Sequence, residues 1–216
     1  MYFRLPYQVI VVLWVTVIFY SCRKDKIAIP ADFECRYGNL VFSSDTSVSI
    51  NAFYPVKTGN YWNYSVKKYV YDTLDTSYAS SFFWQVTGTK QNYLDTLWQM
   101  NNNSSLIFGK QTNSIFTPVN SGGACLLPVT YLLIPQGNDT LTSIFPENQE
   151  FRYYNSTDTV VTPAGIFYNP VIKQGLVYGY YYTYYFVNGI GLVKSTSQAN
   201  GSATVMVTLL DSYAFN

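Results

Sequence analysis

Hydrophobic and polar positions follow two regimes along this chain. Val9 to Tyr20 is one apolar run, closed by Ser21-Cys22 and the charged cluster Arg23-Lys24-Asp25-Lys26. From Phe53 onwards the period changes to two, the mark of strands with one buried face. Tyr61 to Leu74 alternates, with Trp62, Tyr64, Val66 and Val70 on one side and Asn63, Ser65 and Lys67 on the other. Phe82, Trp84 and Val86 repeat the pattern, as do Leu94, Thr96, Trp98 and Met100. Trp62, Trp84 and Trp98 therefore fall on one face of consecutive strands and predict a shared core. Leu126 to Ile134 carries Pro128, which predicts an edge strand or a bulge. Shorter strands are expected at 141–145, 151–154, 159–161 and 171–173, then a tyrosine-rich strand at 178–187, one from Ile190 and a last one at 203–210. No stretch has helical period and length. About ten strands at intervals of roughly 8–12 residues predict an all-β domain.

The first regime has the dimensions of an export signal. Its apolar core falls within the roughly 7–15 residues of a signal peptide and short of the about 20 that span a bilayer. Phe19-Tyr20-Ser21-Cys22 resembles the cleavage site of bacterial lipoproteins, though Phe19 and Tyr20 are bulkier than the usual pair. That resemblance implies that Cys22 becomes the mature N-terminus and carries acyl chains, palmitate among them, for which each buried methylene contributes about 0.8 kcal/mol. An uncleaved helical anchor or an ordinary signal peptide is the alternative. Arg23, where related lipoproteins often carry a retention aspartate, points to the outer membrane and leaves its periplasmic or surface face open. The expected organisation is a signal peptide over 1–21, an anchor and tether over 22–50, and one β domain over 51–216.

Composition narrows the functions. The chain has 13 basic and 12 acidic side chains, and loss of residues 1–21 removes Arg4 alone, leaving 12 of each. Nothing in that balance attracts nucleic acid. There is no histidine, which excludes Ser-His-Asp and Cys-His catalysis and histidine-held metals. With no other catalytic motif, we expect a protein that is not an enzyme and carries no cofactor or metal. Cys35 and Cys125 remain beside Cys22. In an oxidising envelope they can pair, closing a 90-residue loop worth about 4–5 kcal/mol, or stay as buried thiols.

Three further segments carry a second resemblance: Tyr54-Pro55-Val56-Lys57-Thr58-Gly59-Asn60-Tyr61-Trp62, Thr162-Pro163-Ala164-Gly165-Ile166-Phe167 and Gly189-Ile190-Gly191-Leu192-Val193-Lys194. Together they resemble a group of uncharacterised Gram-negative envelope lipoproteins, over about residues 53–194. Such proteins are similar to the half-barrel of lipoprotein-localisation factors, which hold acyl chains on a concave apolar face. This chain lacks their lid helices. The expected fold is thus a single antiparallel, strongly curved sheet or half-barrel, with a β-sandwich or lipocalin-like barrel as the alternative.

The remaining chemistry is sparse. Asp72 and Asp75 lack the dense oxygen loop that calcium requires and suit a polar turn. Glu147 and Glu150 could be drawn as an acid/base pair, and Ser121-Gly122-Gly123 as an oxyanion loop, but neither has partners. The candidate ligand face comprises Trp62, Trp84, Trp98, Tyr180, Tyr182 and Tyr184. We expect a binding or accessory protein holding an apolar ligand or a protein partner there, with a glycan-binding surface as the alternative.

Overall fold

The computed structural model describes residues 55–216 apart from 93–94, 102, 112–113, 121–125 and 146–148. The export signal, Cys22, Cys35 and Cys125 lie outside the described residues.

Fifteen strands and no helix occur among the described residues. They are β1 (Tyr61–Val70), β2 (Thr73–Leu74), β3 (Ser80–Asn92), β4 (Asp95–Met100), β5 (Asn103–Gln111), β6 (Ser114–Asn120), β7 (Leu126–Leu133), β8 (Thr140–Phe145), β9 (Gln149–Asn155), β10 (Thr159–Thr162), β11 (Gly165–Tyr168), β12 (Val171–Val177), β13 (Tyr180–Val187), β14 (Gly191–Ala199) and β15 (Thr204–Ala214). One antiparallel sheet takes all but β10 and β11, in the order β7-β6-β5-β4-β3-β1-β15-β14-β13-β12-β9-β8, with β2 attached to β1. β10 and β11 form a separate ribbon. Most neighbours in this order are also neighbours in sequence, as hairpins dictate. The join of β1 to β15 instead brings the first strand beside the last along ten residues of β1.

The sheet is open, with β7 and β8 as its edges, yet it rolls. Tyr131 on β7 sets its ring edge-on to Phe186 of β13, with centroids 5.6 Å apart, and its carbonyl accepts a hydrogen bond from Lys173 Nζ of β12 at 2.8 Å. One core gathers side chains from strands across the sheet, including Trp62, Tyr64, Trp98, Met100, Tyr153 and Phe186. Only a curved sheet brings these strands to a common interior. The curved half-barrel is therefore the fold, and not a sandwich or a closed barrel.

Alternation explains which face turns inward. Directly paired residues share a face. Trp62 opposes Trp84 and Tyr64 opposes Phe82, and these rings pack together, Tyr64 on Phe82 at 5.0 Å and Tyr64 edge-on to Trp84 at 5.4 Å. The alternation from Tyr61 was expected to reach Leu74, with Asp72 in a polar turn. The chain instead reverses at Tyr71-Asp72, where both residues adopt positive φ (48° and 61°), and Thr73-Leu74 pairs back on β1.

The three sequence segments singled out above meet at one end of the sheet. Trp62 Nε1 donates to Ile190 O at 2.7 Å and Tyr64 Oη to Leu192 O at 3.0 Å. Ala164 N donates to Leu210 O, and the Phe167 ring packs on Tyr213, the pairing partner of Trp62. Asn60 ties the lead-in to β1 to the segment after β15: its Nδ2 donates to Pro55 O and its Oδ1 accepts from Asn216 N. Gly59, at φ 94°, leaves no room for a Cβ against Asn216. These segments build the fold.

Candidate functional site

The tyrosine strand β13 separates into two sets. Tyr180, Tyr182, Tyr184 and Phe186 form a ladder on the inner face, at centroid spacings of 6.1, 6.0 and 6.3 Å. The ladder runs from half-open Tyr180 at the strand start to fully buried Phe186. Tyr181, of opposite parity, stands on the outer face and is 51% exposed.

At the inner end of this ladder sits Lys173. It is 6% exposed, with Nζ 4.3 Å from the Phe151 centroid and within 5.6 Å of the Tyr131, Tyr153 and Tyr184 centroids. The four rings and the Tyr131 carbonyl replace water around the ammonium. Burial pulls its pKa down to about 7. Burial likewise pushes the phenols of Tyr153 and Tyr184 up to about 12, partly offset at Tyr153 by a hydrogen bond with Ser143. Sequence reasoning passed over Lys173, whose one signal is a charge at an inward position of β12.

The predicted ligand residues are placed as follows. Trp62 and Trp98 are buried in the core, and Trp84 is half-buried against it. The Trp98 indole N–H has no hydrogen-bond partner among the described residues. Trp62 and Trp84 come together around Tyr64, while Tyr182 and Tyr184 line the interior around Lys173. Asp75 pairs with Lys68 at 3.0 Å and accepts from Ser77 in the turn before β3. Its carboxyl is held below the usual range by Ser77 first and Lys68 second. Glu150 pairs with Arg152 Nε at 3.1 Å, and Glu147 lies outside the described residues.

The described residues do shape a groove on β9, β12 and β13, of about 490 Å³ and lined by Glu150, Arg152, Gln174, Leu176, Tyr181 and Thr183 among others. Pairing explains its lining: Gln174 opposes both Arg152 and Thr183, and Leu176 opposes Tyr181. These side chains therefore share the outer face. Gly175 lies between them, where a Cβ would meet Glu150 O at 2.3 Å; its absence lets β9 approach. Tyr154 Oη donates to Gln174 Oε1 at 3.2 Å and orients the amide. The groove thus offers a guanidinium, a carboxylate, an amide, a hydroxyl and an open phenol ring.

Among known proteins, no family model matches this chain, and no curated protein matches it. Two crystal structures are similar in shape. One, provisionally described as an exported protein with a YmcC-like fold, is from Bacteroides fragilis NCTC 9343. It is 14% identical with a TM-score of 0.45, over 76% of this chain and 99% of that one. The other, provisionally described as a lipoprotein, is from Parabacteroides distasonis ATCC 8503. It is 13% identical with a TM-score of 0.45, over 77% of this chain and 100% of that one.

Proposed function

We propose that this chain is an envelope lipoprotein, tethered to the outer membrane through Cys22, whose β domain binds carbohydrate without catalysis in the groove of β9, β12 and β13. The observation that carries this reading is the half-exposed ring of Tyr181 beside Arg152, Glu150 and Gln174. A sugar ring has an apolar face of C–H groups and an equatorial girdle of hydroxyls. The first suits an aromatic ring; the second suits planar polar groups that donate and accept in pairs.

The groove's volume falls in the range of ligand sites, about 300–1,000 Å³, and its lining is mixed, with Glu150, Arg152, Gln174 and Thr183 beside Leu176 and Tyr181. The inner face, where an apolar ligand would lie, is occupied at the described residues by Trp62, Tyr64, Trp98, Met100, Tyr153 and Phe186.

The test is a glycan array probed with the full-length chain in detergent, followed by titration of the retained glycans. Tyr181→Ala should weaken binding about tenfold, the loss of one ring contact, without lowering thermal stability. An array that retains nothing, or a Tyr181 variant that binds as the parent does, would overturn the reading.

A further inference from the structure

We infer that the groove is one end of a track across the outer face of the sheet, and that its ligand is a neutral polysaccharide lying perpendicular to the strands. This deepens the carbohydrate reading and rests on it. The inference comes from register. Leu176, Tyr181, Gln198, Val205, Tyr69 and Leu74 oppose one another in succession across β12, β13, β14, β15, β1 and β2. Directly opposed residues share a face, so these six form one continuous row on the side away from the core.

All six are exposed or half-exposed. At about 4.8 Å per strand the row is about 24 Å long, several sugar rings end to end. It has a tyrosine near each end and an amide between them. Gln198 Nε2 donates to Ser202 O at 2.6 Å, which fixes the amide and leaves its carbonyl oxygen to accept from a hydroxyl.

A second row runs parallel, two residues further along each strand. Arg152, Gln174, Thr183, Thr196, Val207 and Lys67 follow one another across β9, β12, β13, β14, β15 and β1. An aromatic and apolar row beside a mainly polar one matches the two chemistries of a polysaccharide chain along its length, not merely at one sugar. Neutrality follows from charge: Arg152 is already paired with Glu150, Lys194 lies over the Tyr185 ring, whose phenol also feels Asp158, and Asp211 accepts from Ser65, two residues from Lys67.

The experiment uses the full-length chain in detergent, titrated with size-fractionated oligosaccharides of amylose, cellulose, xylan and mannan, from disaccharide to octasaccharide. Affinity for at least one series should rise with length until the track is filled. Tyr69→Ala should cost the long oligomers about tenfold and leave the disaccharide, held by the groove, unchanged. Val205→Glu, a change on the open face of a strand, should have the same length-dependent effect and guards against a folding defect in the tyrosine variant. If disaccharide and octasaccharide bind alike and neither variant matters while Tyr181→Ala does, the groove stands and the track is overturned. If no series binds, track and groove fall together.

Discussion

At the scale of the residue, Lys173 is the most consequential side chain that the sequence did not announce. Between Ile172 and Gln174 it reads as a solvated strand end, because its surroundings come from β7, β9 and β13, distant in sequence. Its burial makes stability depend on pH in a definite direction. Below about pH 7 it is protonated folded and unfolded, and the cost of burying charge is at its fullest. Above pH 7 the folded chain has released a proton that the unfolded chain keeps until about pH 10.5. Stability therefore rises through that window, by up to about 1.4 kcal/mol per pH unit. Tyr153 and Tyr184 act the other way: unfolded phenols ionise near pH 10, whereas the buried ones hold their protons to about 12, so stability falls over that interval. Melting temperature followed against pH should peak near pH 10. In Lys173→Met the rising limb should vanish; a variant that keeps it would place the titration elsewhere. Tyr181 was passed over for a different reason. Period two separates it from Tyr180, Tyr182 and Tyr184, but the alternation alone does not say which set faces the core.

Elements show where local pattern sufficed and where it did not. Trp62, Trp84 and Trp98 were legible as a shared core because each falls at one parity of an alternating strand and is followed by a polar residue, Asn63, Gln85 or Gln99. The reversal was legible as a polar turn at Asp72 but not in its place or form, since two-residue hairpin turns of positive φ favour Asn and Gly and not Tyr71. Tyr71 is 81% exposed and gains little packing from that conformation, which costs a bulky residue roughly 1–2 kcal/mol. Tyr71→Asn should accordingly raise unfolding free energy by about 1 kcal/mol in a denaturant titration; a loss would mean that the ring is held in a contact worth more than the strain. The β9–β12 pairing offers the converse case. Gly175→Ala would drive a methyl into Glu150 O and within 2.8 Å of Phe151 Cδ1. It should cost about 1–3 kcal/mol, with amide exchange speeding up at Phe151 and Gly175 before the rest of the sheet. Uniform protection would show that β9 yields without losing its ladder.

For the whole molecule, all-β architecture and antiparallel order followed from short alternating segments joined by turns. Openness did not: whether a curved sheet closes depends on its two edges, and β7 and β8 hold themselves near the interior through Tyr131 and the Lys173 contact rather than through a ladder. Detachment of β10 and β11 was equally hidden, because their buried residues Val160, Thr162 and Phe167 alternate like those of any other strand. They cover the core from outside the sheet.

The seam between β1 and β15 has a temporal meaning. Chains emerge from the ribosome N-terminus first, so Tyr61–Val70 is made well before its long partner, Thr204–Ala214. Until then the exposed edge of β1 has no β15 to meet, and the two halves of the sheet cannot join. Contacts this distant in sequence form slowly. A nascent chain is thus kept from its finished sheet until Thr204–Ala214 has been made. It also makes the last strand a quality gate: a product ending before Thr204 would present two unmatched edges and should aggregate.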